Sequence, residues 1–339
     1  MRAITFYEYG PPSLLRLEER PDPVPGPGQV RVRVRACSMN AADWHILRAD
    51  PFLARLAVGL FKPRYNVLGC DLAGVVDAVG PGVTRFKAGD AVMGELGSSG
   101  WGAFAERVCA PEGVLALKPA NIGFDEAAAA PLAGVTAVQG LRREGCLKPG
   151  ERVLINGASG GVGTYAVQVA KVLGAEVVAV CSPRNVEQVR SLGADQVIDY
   201  TQTDFTQSDA RYDLILAVNG YHPLSHYKRV LAPGGRFLMT GGAGRQMAAA
   251  VLLGPLHSLL SGKRLGYVTM KSNLEDLEFL RDCLGDGRVR SVIDRTFPLD
   301  KVPEALAYLE EGHARGKVVI QVALPSEGRA EATRGEPSA

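Results

Sequence analysis

Charge imbalance is nearly missing from this 339-residue chain: 38 Lys and Arg stand against 36 Asp and Glu, for a net charge of +2. Without a basic excess there is no electrostatic footprint for nucleic acid or an anionic membrane. Long apolar runs are missing as well. None reaches the roughly 18–20 residues that a membrane span needs, and the opening Met1-Arg-Ala-Ile-Thr5 lacks the apolar centre of a signal peptide. Paired cysteines are the third absence. Cys37, Cys70, Cys109, Cys146, Cys181 and Cys283 are scattered, with no C-x-x-C among them. That spacing argues against a zinc knuckle and against a disulfide frame, so reduced thiols in a cytoplasmic protein are expected. His222 and His226 stand four apart, yet no third ligand accompanies them.

What is present is ordinary globular chemistry, 46% hydrophobic, in a length that suits about two domains. Val30, Val32 and Val34 alternate with Arg31, Arg33 and Arg35, the pattern of a strand with one buried face. Before it, Pro21, Pro23, Pro25 and Pro27 mark an extended loop. Short strand patterns continue through Leu72–Gly80, Asp90–Met93 and Ala103–Val108. The Ala-rich stretch Asp125–Leu141 reads as helix, broken near Pro131.

From Val153 the period changes. Val153–Ile155 reads as a buried strand, Gly160, Gly161 and Gly163 as a tight turn, and Val162–Leu173 as an amphipathic helix. Strands at Val177–Cys181, Gln196–Ile198, Leu214–Val218 and Phe237–Thr240 alternate with helices at Asn185–Leu192 and Tyr221–Leu231. This order predicts an α/β fold with a doubly wound parallel sheet. Helices at Leu274–Leu284 and Val302–Glu311, then a strand at Lys317–Val322, close the chain, and 325–339 reads as a disordered tail.

A strand, a glycine turn and a helix N-terminus form an anion cradle, and in this context the anion is a dinucleotide pyrophosphate. Ser159, Gly160, Gly161 and Val162 are the expected pyrophosphate contacts. The strand Glu176–Cys181 continues into Ser182-Pro-Arg184, with no carboxylate at its tip to hold a ribose 2′-hydroxyl. Ser182 and Arg184 suit a 2′-phosphate instead, which favours NADP(H). Asn219 and Gly241 follow strand C-termini, where ligands bind in open sheets.

Several motifs occur together: Asn40-Ala-Ala-Asp43, Gly69-Cys-Asp-Leu-Ala-Gly74, Phe86-Lys-Ala-Gly-Asp90, Pro131-Leu-Ala-Gly-Val-Thr136, Ala158-Ser-Gly-Gly-Val-Gly163 and Gly316-Lys-Val-Val-Ile320. In this order they resemble the medium-chain dehydrogenase/reductase superfamily, in its zinc-independent quinone oxidoreductase branch, over about residues 1–323. Ala158 stands where the usual first glycine would be. The resemblance implies a GroES-like β-rich substrate domain at 1–124 and 271–324, a Rossmann NADP-binding domain at 125–270, and a cleft between them. It also implies a homodimer or homotetramer. Asn40 is the expected cleft residue, orienting substrate or nicotinamide, with a turn-holding Asn as the alternative. Thr136, Tyr200 and Lys317 resemble cofactor-side residues, against helix-interior, sheet-edge and surface alternatives.

Zinc enzymes of the superfamily ligate the metal with Cys, His and Cys; the matching positions here are Asn40, Cys70 with Asp71, and Ala133. Asn is a poor zinc ligand and Ala is none, so no metal is expected. The cysteine-rich loop is also lacking around Gly94–Gly102. The expected chemistry is NADPH-dependent hydride delivery to a quinone or an α,β-unsaturated carbonyl. The alternatives are a zinc-free alcohol or carbonyl dehydrogenase and a non-catalytic NADPH-binding sensor or structural protein. Asp43, Trp44 and His45 are candidates for the substrate side. Arg48–Phe52 lacks the tyrosine of the enoyl reductase branch, so water is the expected proton source. Arg48–Tyr65 and the apolar Gly244–Gly266 are expected to shape the acceptor pocket.

Overall fold

The computed structural model describes residues 1–322, leaving out 51, 53–54, 243–245, 247–249, 251–253, 255–257 and 259–261. The expected tail and most of the apolar 244–266 stretch lie outside the described residues.

The chain opens with a ribbon, β1 (Arg2–Thr5) antiparallel to β2 (Arg16–Glu19). β3 (Gln29–Ser38) then buries Val30, Val32 and Val34, while Arg31 turns outward to Asp77 at 2.7 Å. Helix α1 (Ala41–Arg48) and the short α2 (Arg55–Val58) precede β4 (Asp71–Val79), β5 (Ala91–Glu95), β6 (Arg107–Pro111) and β7 (Leu115–Leu117). Next come α3 (Phe124–Ala129) and α4 (Pro131–Val138). Pro131 starts α4 at a position whose N–H would go unused, so the Ala-rich stretch becomes two helices.

The second unit runs β8 (Arg152–Asn156), α5 (Gly161–Val172), β9 (Glu176–Cys181), α6 (Val186–Ser191), β10 (Gln196–Asp199), β11 (Tyr212–Ala217), α7 (Leu224–Arg229), β12 (Leu231–Met239) and β13 (Arg264–Tyr267). All six strands are parallel in the order β10-β9-β8-β11-β12-β13. Val153, Leu154, Ile155 and Val177–Ala179 are fully buried, as strands covered on both faces must be. Each of the Val, Leu and Ile side chains contributes about 1.5–3 kcal/mol by leaving water. Strand order reverses between β8 and β11, which makes their C-terminal ends the binding crevice of this topology.

The chain then returns through α8 (Leu274–Gly285), β14 (Ile293–Pro298), α9 (Val302–Glu310) and β15 (Lys317–Gln321). β15 pairs antiparallel with β3, giving a sheet ordered β14-β15-β3-β4-β5-β7, with β6 also on β3. Helix α3, which falls in the expected 125–270 unit, lies against β3, β4 and β15, and its alanines share a core with β8 and β9. Helix α8 bridges the units, against α4 and β7.

The two crossings between units lie side by side. Ser291 Oγ donates to the Glu126 carbonyl at 2.7 Å and also meets the Tyr165 hydroxyl at 2.7 Å. One residue back, Arg290 exchanges two hydrogen bonds with the Gln168 side chain. Among the described residues no helix is long and apolar enough to cross a membrane, and all six cysteines are free.

Candidate functional site

The left-handed turn after β8 is at Gly157, with φ +89°, and a Cβ there would lie 3.0 Å from Asn219. Gly160, Gly161 and Gly163, read from the sequence as the tight turns, do not adopt positive φ. Their reasons are spatial. A Cβ on Gly163 would sit 2.1 Å from the Gly157 carbonyl, so glycine lets α5 press against the turn. Gly160, the cap of α5, has only the Gly157 carbonyl near it, at 3.8 Å, leaving its face open for a ligand. The first N–H groups of α5 have no partner within the helix and point toward that face.

A cleft of about 180 Å³ opens there. Of the expected residues, Ser159, Gly160, Ser182, Arg184, Tyr200 and Asn219 line it. Asn185, not anticipated, ties its wall together: its Nδ2 donates to Ser159 Oγ at 2.9 Å and Ser182 Oγ at 3.0 Å. Asn185 Oδ1 is buried without a partner. An unmatched buried acceptor in a cleft wall is a docking point for a ligand hydroxyl. Arg184 Nη2 donates to the His313 carbonyl at 3.1 Å, and Gly312, His313 and Ala314 also line the cleft. On the neighbouring strand β10, Asp199 pairs in register with Cys181 at the β9 tip, and its Oδ1 is engaged by the Thr201 N–H and hydroxyl. Tyr200 is half exposed and meets Tyr221 edge-on at 6.3 Å.

Gly161, Val162, Thr136, Gly241, Asn40 and Lys317 do not line this cleft. Thr136 is buried in α4, its hydroxyl donating to the Leu132 carbonyl at 2.7 Å. Val162 packs on the core, and Gly241 gives passage to the Val218 carbonyl, which a Cβ would meet at 2.4 Å.

Asn40 and Lys317 meet in a second centre at the ends of β3, β4 and β15. Lys317 is buried, not a surface lysine. Its Nζ donates to Asn40 Oδ1 at 2.5 Å, to the Met39 carbonyl at 3.0 Å and to Asp71 Oδ2 at 3.3 Å. Asn40 Nδ2 donates to Asp71 Oδ2 at 2.9 Å, with Ser38 O and Cys70 Sγ each at 3.4 Å. Both ends of the Asn40 amide are therefore committed within the protein, so it orients its surroundings and has no free donor for a substrate oxygen. Asp71 also accepts from Ser38 Oγ and from the Leu132 N–H, each at 2.8 Å. The Lys317 stem passes the glycine turn: a Cβ on Gly161 would lie 3.1 Å from its Cδ. The two centres thus adjoin.

Asp43 sits below Asn40 and accepts the N–H groups of Asn40 and Gly69 at 2.8 and 3.0 Å. Burial pushes its carboxyl up to about 7. Burial likewise raises the Cys70 thiol well above its usual value, so it stays protonated. Of the positions matched to zinc ligands, Asn40, Cys70 and Asp71 do converge, but the cation among them is the Lys317 ammonium. Ala133 lies buried in α4. Among the described residues no group of three or more His, Cys, Asp or Glu could hold a metal. His45 stacks on Trp44 and bonds the Asp50 carbonyl through Nδ1 at 2.6 Å. His222 and His226 are 6.0 Å apart between ring centres, without a third ligand.

Residues 26–120 match the alcohol dehydrogenase GroES-like domain and 192–320 the zinc-binding dehydrogenase domain. The chain is 35% identical to a chloroplast envelope quinone oxidoreductase homolog of Arabidopsis thaliana, covering 95% of this chain and 98% of that one. It is 36% identical to a 2-methylene-furan-3-one reductase of Solanum lycopersicum, over 94% and 79%. The quinone oxidoreductase of Coxiella burnetii superposes with a TM-score of 0.84 at 32% identity, over 95% and 99%. The chain belongs to the medium-chain dehydrogenase/reductase superfamily, in its quinone oxidoreductase branch, and is an oxidoreductase with a GroES-like and a Rossmann unit.

Proposed function

We propose that the protein reduces a quinone or an α,β-unsaturated carbonyl with NADPH and without a metal. The observation that carries the reading is the cleft wall Ser159–Asn185–Ser182 beside Arg184, with one buried acceptor, Asn185 Oδ1, left unmatched. It fits a phosphorylated dinucleotide: α5 N–H groups for the pyrophosphate, Asn185 Oδ1 for a ribose hydroxyl, and Ser182 with Arg184 for the 2′-phosphate. A solved relative, the Escherichia coli quinone oxidoreductase, is complexed with NADPH and superposes with a TM-score of 0.80 at 25% identity. An NADPH-dependent alkenal/one oxidoreductase of Arabidopsis thaliana is 34% identical over 94% of this chain.

Bound in this cleft, the coenzyme supplies a hydride. The chain's own residues position it. The Asn40–Asp71–Lys317 cluster forms an internally neutralised support beside the turn. Metal-free operation rests on donor chemistry: a thiol held protonated, a carboxylate paired with an ammonium and an amide do not make a zinc site. Activated acceptors take a hydride without a Lewis acid, whereas a simple ketone needs its carbonyl polarised by a metal or a positioned acid. Six free thiols suit a reducing, cytoplasmic setting. A homodimer or homotetramer is the expected assembly.

NADPH consumption with quinones, enones and aldehydes, beside Kd values for NADPH and NADH, tests the reading. Turnover of quinones or enones with tighter NADPH binding is the expected result. Turnover of alcohols or simple aldehydes alone would favour an alcohol dehydrogenase, and binding without turnover a sensor.

A further inference from the structure

We infer that Glu95, supplied with protons from solvent through the hydroxyls of Ser272 and Ser98, returns the proton that completes reduction of the acceptor. This rests on the reductase reading above and goes beyond it, because that reading leaves the proton to water.

The placement comes from strand register. Ser38, Asp71 and Glu95 are direct partners across β3, β4 and β5, so the three share one sheet face at the strand ends that carry Asn40 and Lys317. Glu95 is only 4% exposed. It faces a small cavity between the two units, beside Val114, Val135, Met270 and Leu277. Asp71 in the same row has an ammonium partner; Glu95 has no ion pair among the described residues. Among the described residues its oxygens accept only the Gly97 N–H and the Ser272 hydroxyl.

An unpaired buried carboxyl holds its proton. Burial pushes Glu95 up to about 7 and the Asp71 charge adds to this, while the bonds from Ser272 and Gly97 pull the other way. The charged groups that face it are few. From β4 there is Asp71, with Lys317 behind it, and the neutral Cys70 thiol. From α4 there is Val135, from the turn just before β7 there is Val114, and from the start of α8 the uncharged Ser272, Asn273 and Leu274.

The path outward is continuous. Ser272 donates to Glu95, and Ser98 Oγ donates to Ser272 Oγ at 2.7 Å. Glu95 is buried, Ser272 half-buried and Ser98 exposed. Asp43 has the same raised carboxyl, yet its oxygens are closed off by the Asn40 and Gly69 N–H groups and it has no such path.

The step balances as follows. The enone β-carbon gains the coenzyme hydride, and the C=C electron pair moves onto the carbonyl oxygen as an enolate. The Glu95 O–H bond breaks and its proton bonds to the enolate, leaving a carboxylate. Ser272 passes its hydroxyl proton to Glu95, Ser98 passes its own to Ser272, and water restores Ser98. The sum is acceptor, NADPH and one proton giving reduced acceptor and NADP⁺.

Glu95→Gln keeps an acceptor for Gly97 and a polar partner for Ser272 but carries no acidic proton. Ser272→Ala cuts the path and leaves Glu95 in place. Steady-state rates with an enone from pH 5.5 to 9, solvent deuterium isotope effects and NADPH Kd test the assignment. The wild-type rate should fall above pH about 7, as Glu95 loses its proton. Glu95→Gln should lose that break and run about 10²-fold slower at pH 6, with unchanged NADPH Kd. Ser272→Ala should keep a break, moved to higher pH because the bond that lowers Glu95 is gone, run slower and show a larger solvent isotope effect. Glu95→Gln with the wild-type rate and break overturns the relay. If Glu95→Gln fails to fold, Ser272→Ala with wild-type rate and isotope effect overturns it. A wild-type protein that turns over no acceptor overturns the reductase reading as well.

Discussion

Replacing Lys317 by Met keeps most of the aliphatic stem beside Gly161 and removes the ammonium. The fully buried Asp71 carboxylate then retains Ser38 Oγ, Asn40 Nδ2 and the Leu132 N–H but loses the one cation paired with it among the described residues. Breaking a buried pair on one side costs about 3–5 kcal/mol, chiefly because an uncompensated charge stays in a low-dielectric site. Asn40 Oδ1 and the Met39 carbonyl lose a donor at the same time, which places the loss toward the upper end of that range. Asp71→Asn alone leaves an unpaired buried ammonium and should cost a similar amount. The double variant carries neither charge, so it should be less destabilised than the sum of the singles by up to about 3 kcal/mol. The chain's two tryptophans, Trp44 and Trp101, both pack on the core of the unit that holds this pair. Urea unfolding followed by tryptophan fluorescence therefore reports on the right unit. Single-variant costs that add within about 0.5 kcal/mol would refute the idea that Asp71 and Lys317 compensate each other.

Three further outcomes are expected. Gly163→Ala forces a methyl against the Gly157 carbonyl and should cost about 1–3 kcal/mol, with weaker NADPH binding by fluorescence titration. Arg184→Glu should raise the NADPH Kd by roughly 10- to 100-fold and leave NADH nearly unchanged, the signature of a lost charge-assisted phosphate contact. Glu95 has a folded-state pKa of about 7 against 4.5 for the free group. Its stabilising contribution is thus complete below about pH 4.5 and is lost as pH rises through 7. Glu95→Gln has no such loss, so urea titrations should show it gaining on wild type by roughly 3 kcal/mol between pH 4.5 and 8.

Much of the second unit is legible because its strands are short apolar runs between turn residues: Val153–Ile155, Val177–Cys181 and Leu214–Val218 each fall within a residue or two of the observed strands. The elements that escape are weakly patterned. β13 is Arg264-Leu-Gly-Tyr267, too short and glycine-broken to show a period, and β14 opens Ile293-Asp-Arg-Thr, largely polar on the sheet edge. Helix α1 hides because Asn40–His45 reads first as a cleft motif. At the site, residue type points to Ser159, Ser182 and Arg184, whereas burial and partnership are tertiary facts. Lys317 reads equally as a surface lysine until β15 sets it 3.3 Å from Asp71, 246 residues away. Glu95 and Ser272 are 177 residues apart, and nothing local marks them as partners. The free acceptor of Asn185 is likewise invisible until its Nδ2 is seen to be spent on Ser159 and Ser182.

Ser291 joins the outgoing and returning strands of the chain where they pass between the two units, through the Glu126 carbonyl and the Tyr165 hydroxyl. One hydroxyl thus fastens both crossings to α5, so losing it would leave the Glu126 carbonyl and the Tyr165 hydroxyl each one partner short where the chain passes from one unit to the other.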